Sequence, residues 1–307
     1  MSGTDEIVIG TRGSQLALWQ ARTVQQALTT AARVQTRLEI INTSGDKDKS
    51  TPLKQMSTVS VFTKEIEQAL LDHRIDLAVH SLKDLTTTQP EGLTLAAVGF
   101  RGDRRELLLV QPDAFDNTQR LHIRPECVIG TGSTRRACQI AHLSARLNIA
   151  DLRGNVPTRV QKLRDGHYDA IILAIAGVQR LGLDLSGLIQ VPLDTHLFYP
   201  APGQAILALE TRTDDKRTLA AARLLNDPVA TTQARLERGL LARFNAGCSL
   251  PLGVISHVEG EHLSLEAILG IPGQNPGQWQ TIRTARANGT HVEDVIDTVY
   301  SHLTTTT

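Results

Sequence analysis

Apolar and polar positions along the first two hundred residues predict short strands separated by amphipathic helices. Ile7-Val8-Ile9-Gly10 is a β-branched run closed by glycine and predicts a strand. Ser14 then stands where a helix cap belongs, ahead of a stripe formed by Leu16, Trp19, Val24 and Leu28. Leu38 to Ile41 predicts a second strand, and the polar stretch from Asn42 to Ser60 shows no period. Phe62 to Leu71 puts Ile66, Ala69 and Leu70 on one helical face. Leu77-Ala78-Val79 predicts a further strand that runs into His80-Ser81-Leu82-Lys83-Asp84.

A second cycle starts near Arg104. Glu106 to Val110 and Val128 to Gly130 predict strands, Ser133 opens a helix, and Asp151-Leu152-Arg153 closes a strand. Val156 to Leu163 is helical, and Ala170 to Ala174 is apolar without alternation, as suits a sheet covered on both faces. After the breaker-rich Tyr199-Pro200-Ala201-Pro202-Gly203, Ile206 to Glu210 predicts a strand that returns to the first sheet. From Asp214 the pattern changes to two helical stretches. Then follow three alternating segments at 254–258, 263–269 and 281–287, and a helix from Val292 to Leu303. That is a small α+β domain behind an α/β region.

Length and composition narrow the reading. A chain of 307 residues exceeds what one core usually supports, so two or three domains are expected. Its 32 basic and 32 acidic residues balance, so no global field exists to hold a nucleic-acid backbone or an anionic membrane. Any anion site is therefore local. No apolar run reaches the ~20 residues of a membrane span. The polar start from Met1 to Glu6 leaves no room for a secretory signal, and three cysteines without C-x-x-C spacing suit the cytoplasm.

Two loops share one construction: Gly10-Thr11-Arg12-Gly13-Ser14, and Gly130-Thr131-Gly132-Ser133-Thr134-Arg135-Arg136. Each follows a strand and opens a helix, where free N–H groups, hydroxyls and guanidinium groups together form an anion cradle. Either loop alone reads equally as a capped helix. Arg153-Gly154-Asn155, Arg159 and Arg180 add forks that match carboxylates, or else are solvated surface charges. The adjacent Arg135 and Arg136 in a first helical turn oppose the helix dipole unless an anion answers them. Lys83-Asp84 lies just past a buried strand, where Asp84 reads as a proton-moving carboxylate or as an Asx turn. Cys248, in the turn Ala246-Gly247-Cys248-Ser249, is reactive or simply buried, whereas Cys138 on a helix reads as core and Cys127 as packed.

Arg12-x-Ser14, His80-Ser81-Leu82-Lys83-Asp84, Gly130-Thr131-x-Ser133-x-Arg135-Arg136, Leu152-Arg153-Gly154-Asn155-x-x-Thr158-Arg159 and Gly247-Cys248-Ser249-x-Pro251 occur in one order. Together with Asp169 to Ala174, Ala176-Gly177 and Glu237-Arg238, the chain resembles the porphobilinogen deaminase (hydroxymethylbilane synthase) family along essentially its whole length. The resemblance implies two periplasmic-binding-protein-like α/β lobes around a cleft plus a small C-terminal α+β domain. Lobe boundaries at 1–103 with 200–221, 104–199 and 222–307 follow. It implies a transferase that joins four porphobilinogen molecules head to tail with loss of ammonia, on a dipyrromethane bound by thioether to Cys248, and releases hydroxymethylbilane by hydrolysis. Asp84 matches the catalytic carboxylate. Lys83, Ser81, Thr131, Ser133, Arg135, Arg136, Arg159 and Gly177 match cofactor-binding positions. Arg12, Ser14, Phe62, Arg153, Gly154, Asn155, Arg180 and Gln204 match substrate-binding ones. No metal is implied, and the expected protein is a cytoplasmic monomer of tetrapyrrole and heme biosynthesis.

Four departures stand out. Val59 occupies the place of a lid lysine, Gly203-Gln204-Ala205 replaces a common Gly-Gln-Gly, Pro157 falls inside the Arg153–Arg159 motif, and Thr86 replaces a frequent proline. They keep two alternatives in view: a divergent paralogue that holds pyrroles without efficient turnover, and a solute-binding-type protein for small carboxylates, which would give Cys248 no task.

Overall fold

The computed structural model describes residues 6–43, 63–245, 250–272 and 279–305. The chain opens with β1 (Glu6–Thr11), α1 (Gln15–Ala31), β2 (Gln35–Ile40), α2 (Lys64–Leu71), β3 (Leu77–Ser81) and β4 (Leu93–Gly99). A second series follows: β5 (Glu106–Val110), β6 (Val128–Gly130), α3 (Thr134–Leu143), β7 (Asn148–Ala150), α4 (Val156–Arg164), β8 (Ala170–Ala174), α5 (Ile175–Leu181) and β9 (Ile189–Leu193). Then come β10 (Leu207–Arg212), α6 (Lys216–Arg223), α7 (Pro228–Arg243), β11 (Leu252–Glu259), β12 (His262–Pro272), β13 (Trp279–Gly289) and α8 (Val292–Thr304).

Two five-stranded sheets are built on one plan, in the orders β2-β1-β3-β10-β4 and β7-β6-β8-β5-β9. In each, three parallel strands meet one antiparallel strand, β10 in the first sheet and β5 in the second. That antiparallel strand enters just after the chain has left the other sheet, so the chain crosses twice. The result is two compact units, residues 1–102 with 203–235 and residues 103–202 with 236–307. Each unit holds one of the two sheets, and the second also contains residues 236–307.

Strand β5 shows why its apolar run lacks alternation. Leu108 and Val110 enter a core with Ile129, Ile140 and Ile172, while Leu107 and Leu109 enter another with Leu163, Ile171 and Leu173. Both faces of the sheet are covered. The first sheet does the same, with Ile9, Val24, Leu28 and Leu209 on one side and Ile66, Leu70 and Ile75 on the other. In the second unit β11, β12 and β13 form an antiparallel sheet, and α8 packs on it through Val295, Ile296 and Val299.

Several local expectations need correction. Strands β4 and β9 carry weak strand signals: β4 is rich in alanine and ends in glycine, and β9 contains Pro192. Pro192 is tolerated because β9 is an edge strand. The strand before Arg153 stops at Ala150, so Arg153 lies in the following loop. Trp19 is 37% exposed, and Gln20 occupies the buried side of α1 in its place. Pro157 does no harm, since it sits in the first turn of α4, where N–H groups have no helical partner.

Candidate active site

In the first unit β1 and β3 run parallel, so their carboxyl ends share one edge of the sheet. Arg12 and Ser14 follow β1, and the Ser14 hydroxyl caps α1 by accepting the Ala17 N–H at 3.3 Å. Ser81 closes β3, where its hydroxyl accepts a hydrogen bond from Gln20 Nε2 at 2.8 Å and ties α1 to that strand. Lys83 and Asp84 occupy one 3-10 turn, Leu82–Asp84. Leu82 anchors it in a core with Leu85, Ile206 and Ala230, and this leaves Asp84 exposed and Lys83 half-buried. The Leu82 N–H donates to Ile206 O at 3.0 Å, so the turn leans on the segment that holds the buried Gln204. Gly203 is needed there: its φ is +72°, and a Cβ would stand 3.0 Å from Leu82 Cγ.

The second unit repeats the device. Thr131 Oγ1 accepts the Ser133 N–H at 3.2 Å, and the Ser133 hydroxyl caps α3 by accepting the Arg136 N–H at 3.4 Å. Arg135 and Arg136 are neither surface charges nor free forks. Both are buried on Glu106, itself buried at the start of β5. Arg136 donates from Nε at 3.2 Å and from an Nη at 2.7 Å to the two carboxylate oxygens, and its other Nη reaches Ile172 O at 2.9 Å. Arg135 donates to Glu106 and to Tyr199 O. Burial pushes the Arg135 guanidinium down, Glu106 pulls it up and Arg136 pushes it down again. Among the described residues, the two guanidinium groups in the first turn of α3 share one carboxylate.

The remaining arginines follow the parallel strands β7 and β8 of the same sheet. Asn155 caps α4 by accepting the Thr158 N–H at 3.0 Å, and Gly154 precedes it at φ +118°. Arg159 Nε donates to Gly154 O at 2.7 Å, which stiffens the Arg153–Asn155 loop. Gly177 is buried in α5, and Arg180 near the end of that helix is pushed down to about 10 by burial. It remains protonated at neutral pH.

Cys248 and Phe62 lie outside the described residues, as does the segment containing Val59. The chain that follows Cys248 is informative nonetheless. Pro251 packs beside Gly270 of β12, and a Cβ on Gly270 would collide with Cys138 of α3. Val254 N–H donates to Pro200 O at 2.9 Å, beside Tyr199, which exchanges hydrogen bonds with Gln139 of α3. Strand β12, which pairs with β11, thus meets the helix that carries Arg135 and Arg136 at Cys138. Cys138 is core, its thiol pushed up to about 12 by burial, and Cys127 is partly buried.

Sequence reasoning missed Glu106 and the buried pair His80 and Glu210. For Glu106 a signal was present: a carboxylate opening the run Leu107 to Val110 has to be paired once that strand is covered on both faces.

Comparisons with known proteins point to one family. The family model described as "Porphobilinogen deaminase, dipyromethane cofactor binding domain" matches residues 7–220, and "Porphobilinogen deaminase, C-terminal domain" matches residues 231–296. A porphobilinogen deaminase of a Roseiflexus species is 42% identical over 86% of this chain and 86% of its own. One of a Nitratiruptor species is 40% identical over 87% of this chain and 84% of its own. A probable porphobilinogen deaminase of Methanocella arvoryzae is 41% identical over 87% and 85%. With both models matched in order over most of its length, the chain belongs to the porphobilinogen deaminase family.

Proposed function

We propose that this protein condenses four porphobilinogen molecules on a dipyrromethane held by Cys248 and releases hydroxymethylbilane, with Asp84 as the catalytic carboxylate. One observation carries the reading: among the described residues, two buried arginines at a helix N-terminus share the single carboxylate of Glu106. Buried guanidinium groups are costly unless anions answer them. A pyrrole bearing acetate and propionate supplies such an anion, so the donor set fits dipyrromethane.

When bound, dipyrromethane supplies the terminal pyrrole carbon at which each new ring is joined. Arg135 and Arg136, oriented by Glu106, hold one of its carboxylates. Lys83, Ser81, Thr131, Ser133, Arg159 and Gly177 would complete its binding. Arg12, Ser14, Phe62, Arg153, Gly154, Asn155, Arg180 and Gln204 receive the carboxylates and ring of incoming porphobilinogen. The Asp84 carboxylate, fixed on its turn and facing solvent, offsets positive charge on the substrate as ammonia departs. It also takes part in the proton transfers of each cycle, accepting the proton released as each new ring is joined. Balanced overall charge supports a protein that takes small carboxylated substrates rather than nucleic acid, working as a cytoplasmic monomer with its C-terminal sheet as a third, thiol-bearing domain.

The test is Asp84→Asn. Ammonia release and bilane formation from porphobilinogen should both fall by about 10²–10³-fold while fold and cofactor persist. Turnover within a few-fold of wild type would remove Asp84 from the mechanism.

A further inference from the structure

Besides Arg212, which pairs with Asp76 and Asp215, the described residues of the first unit bury three titratable side chains that no step above uses. His80 on β3 is 5% exposed, Glu210 on β10 is 0% and Glu67 on α2 is 6%. The register sets His80 opposite Ala208 and Ala78 opposite Glu210, so imidazole and carboxylate meet diagonally on one face of the sheet. Nε2 stands 3.3 Å from Glu210 Oε2. Among the described residues, both Glu210 oxygens, one Glu67 oxygen and His80 Nε2 have no hydrogen-bond partner. From α2, Glu67 and Thr63 face this pair. Burial raises the Glu67 carboxyl above its usual range, the Thr63 hydroxyl lowers it, the Glu210 charge raises it and His80 lowers it.

Three titratable side chains packed together in a dry interior are expensive. Apolar side chains of similar volume would commonly be as stable or more stable, so stability alone does not account for the trio. Its location does. His80 directly precedes Ser81, which holds Gln20, and Leu82, whose N–H binds Ile206 O. Glu210 lies on the strand that begins beside Ile206. The pair therefore cross-links the two strands from which the Asp84 turn and the Gln204 turn emerge.

We propose that the buried His80–Glu210–Glu67 cluster positions the Lys83–Asp84 turn at the end of β3, which makes these three positioning residues for the reaction. This inference rests on the catalytic role of Asp84. The test compares holoenzymes carrying Glu210→Gln, the triple change His80→Leu/Glu67→Leu/Glu210→Leu, and Asp84→Asn. Glu210→Gln should lower kcat roughly ten- to hundredfold, the scale of a small misplacement at a reacting group, with KM and cofactor content unchanged. The triple variant should melt at or above the wild-type temperature and be as slow. Should it fail to fold, the near-isosteric Glu210→Gln decides alone. Wild-type kcat in Glu210→Gln, or a raised KM at unchanged kcat, overturns the proposal while an inactive Asp84→Asn leaves the mechanism standing. An active Asp84→Asn instead removes the mechanism, and the positioning role with it.

Discussion

At Ala205 the backbone takes φ +68°, the left-handed region that suits glycine, and the family commonly has glycine at this place. Ala205 adjoins Ile206, whose carbonyl holds the Leu82 N–H, so strain is stored one hydrogen bond from the Asp84 turn. Ala205→Gly should relieve ~1 kcal/mol or slightly more and return part of it as chain entropy. We expect a net gain of roughly 0.5 kcal/mol, read as a higher urea midpoint. A lower midpoint would mean that the methyl group packs well enough to offset the strain. Glu67 gives a pH signature of its own. Its carboxyl is raised in the folded state, so the native protein binds a proton more tightly than the unfolded chain. Its stabilising effect is full below the ordinary carboxylate range and is lost as pH rises through the raised value. Unfolding at about pH 5 and about pH 8 should show a smaller alkaline loss in Glu67→Gln than in wild type. Equal losses would mean that Glu67 is ionised in the fold.

Helix α3 shows what an element settles that its own residues do not. Ser133 as cap and the arginines in the first turn were legible locally, because capping chemistry acts within three residues. Their counter-ion was not, since Glu106 arrives from a strand about thirty residues earlier. Glu106→Gln should therefore destabilise strongly, by ~3–5 kcal/mol as for other broken buried pairs, and calorimetry would register it. A loss under ~1 kcal/mol would mean that water reaches the arginines. The far side of α3 offers a coupling test. Gly270→Ala should cost ~1–3 kcal/mol through overpacking on Cys138. Adding Cys138→Ala should recover part of that, giving a non-zero coupling in a double-mutant cycle. Additive effects would mean that β12 and α3 accommodate the methyl group by moving apart.

For the whole molecule, a cofactor on the proposed thioether stays attached when the chain unfolds, so it adds stability only through the contacts it makes in the fold. Intact wild-type protein should carry the mass of two condensed pyrroles, and Cys248→Ser should lack it and melt at a lower temperature. A modification on Cys127 or Cys138 would reassign the thiol, although burial argues against Cys138. The sequence by itself determined what acts over short range: Ser14 and Ser133 as caps, apolar runs buried on both faces, the alternating C-terminal strands and the ordered family motifs. It also showed β10 as a strand, and its return to the first sheet was expected and observed. Only the tertiary structure decided pairings between distant segments. Glu106 meets Arg135 and Arg136, His80 meets Glu210, and Gly270 admits Cys138 through contacts with no sequence period. Periodicity reports which face of an element is buried, whereas the partner of a buried charge is set by how sheets and helices are stacked, and that is fixed only when the chain closes on itself.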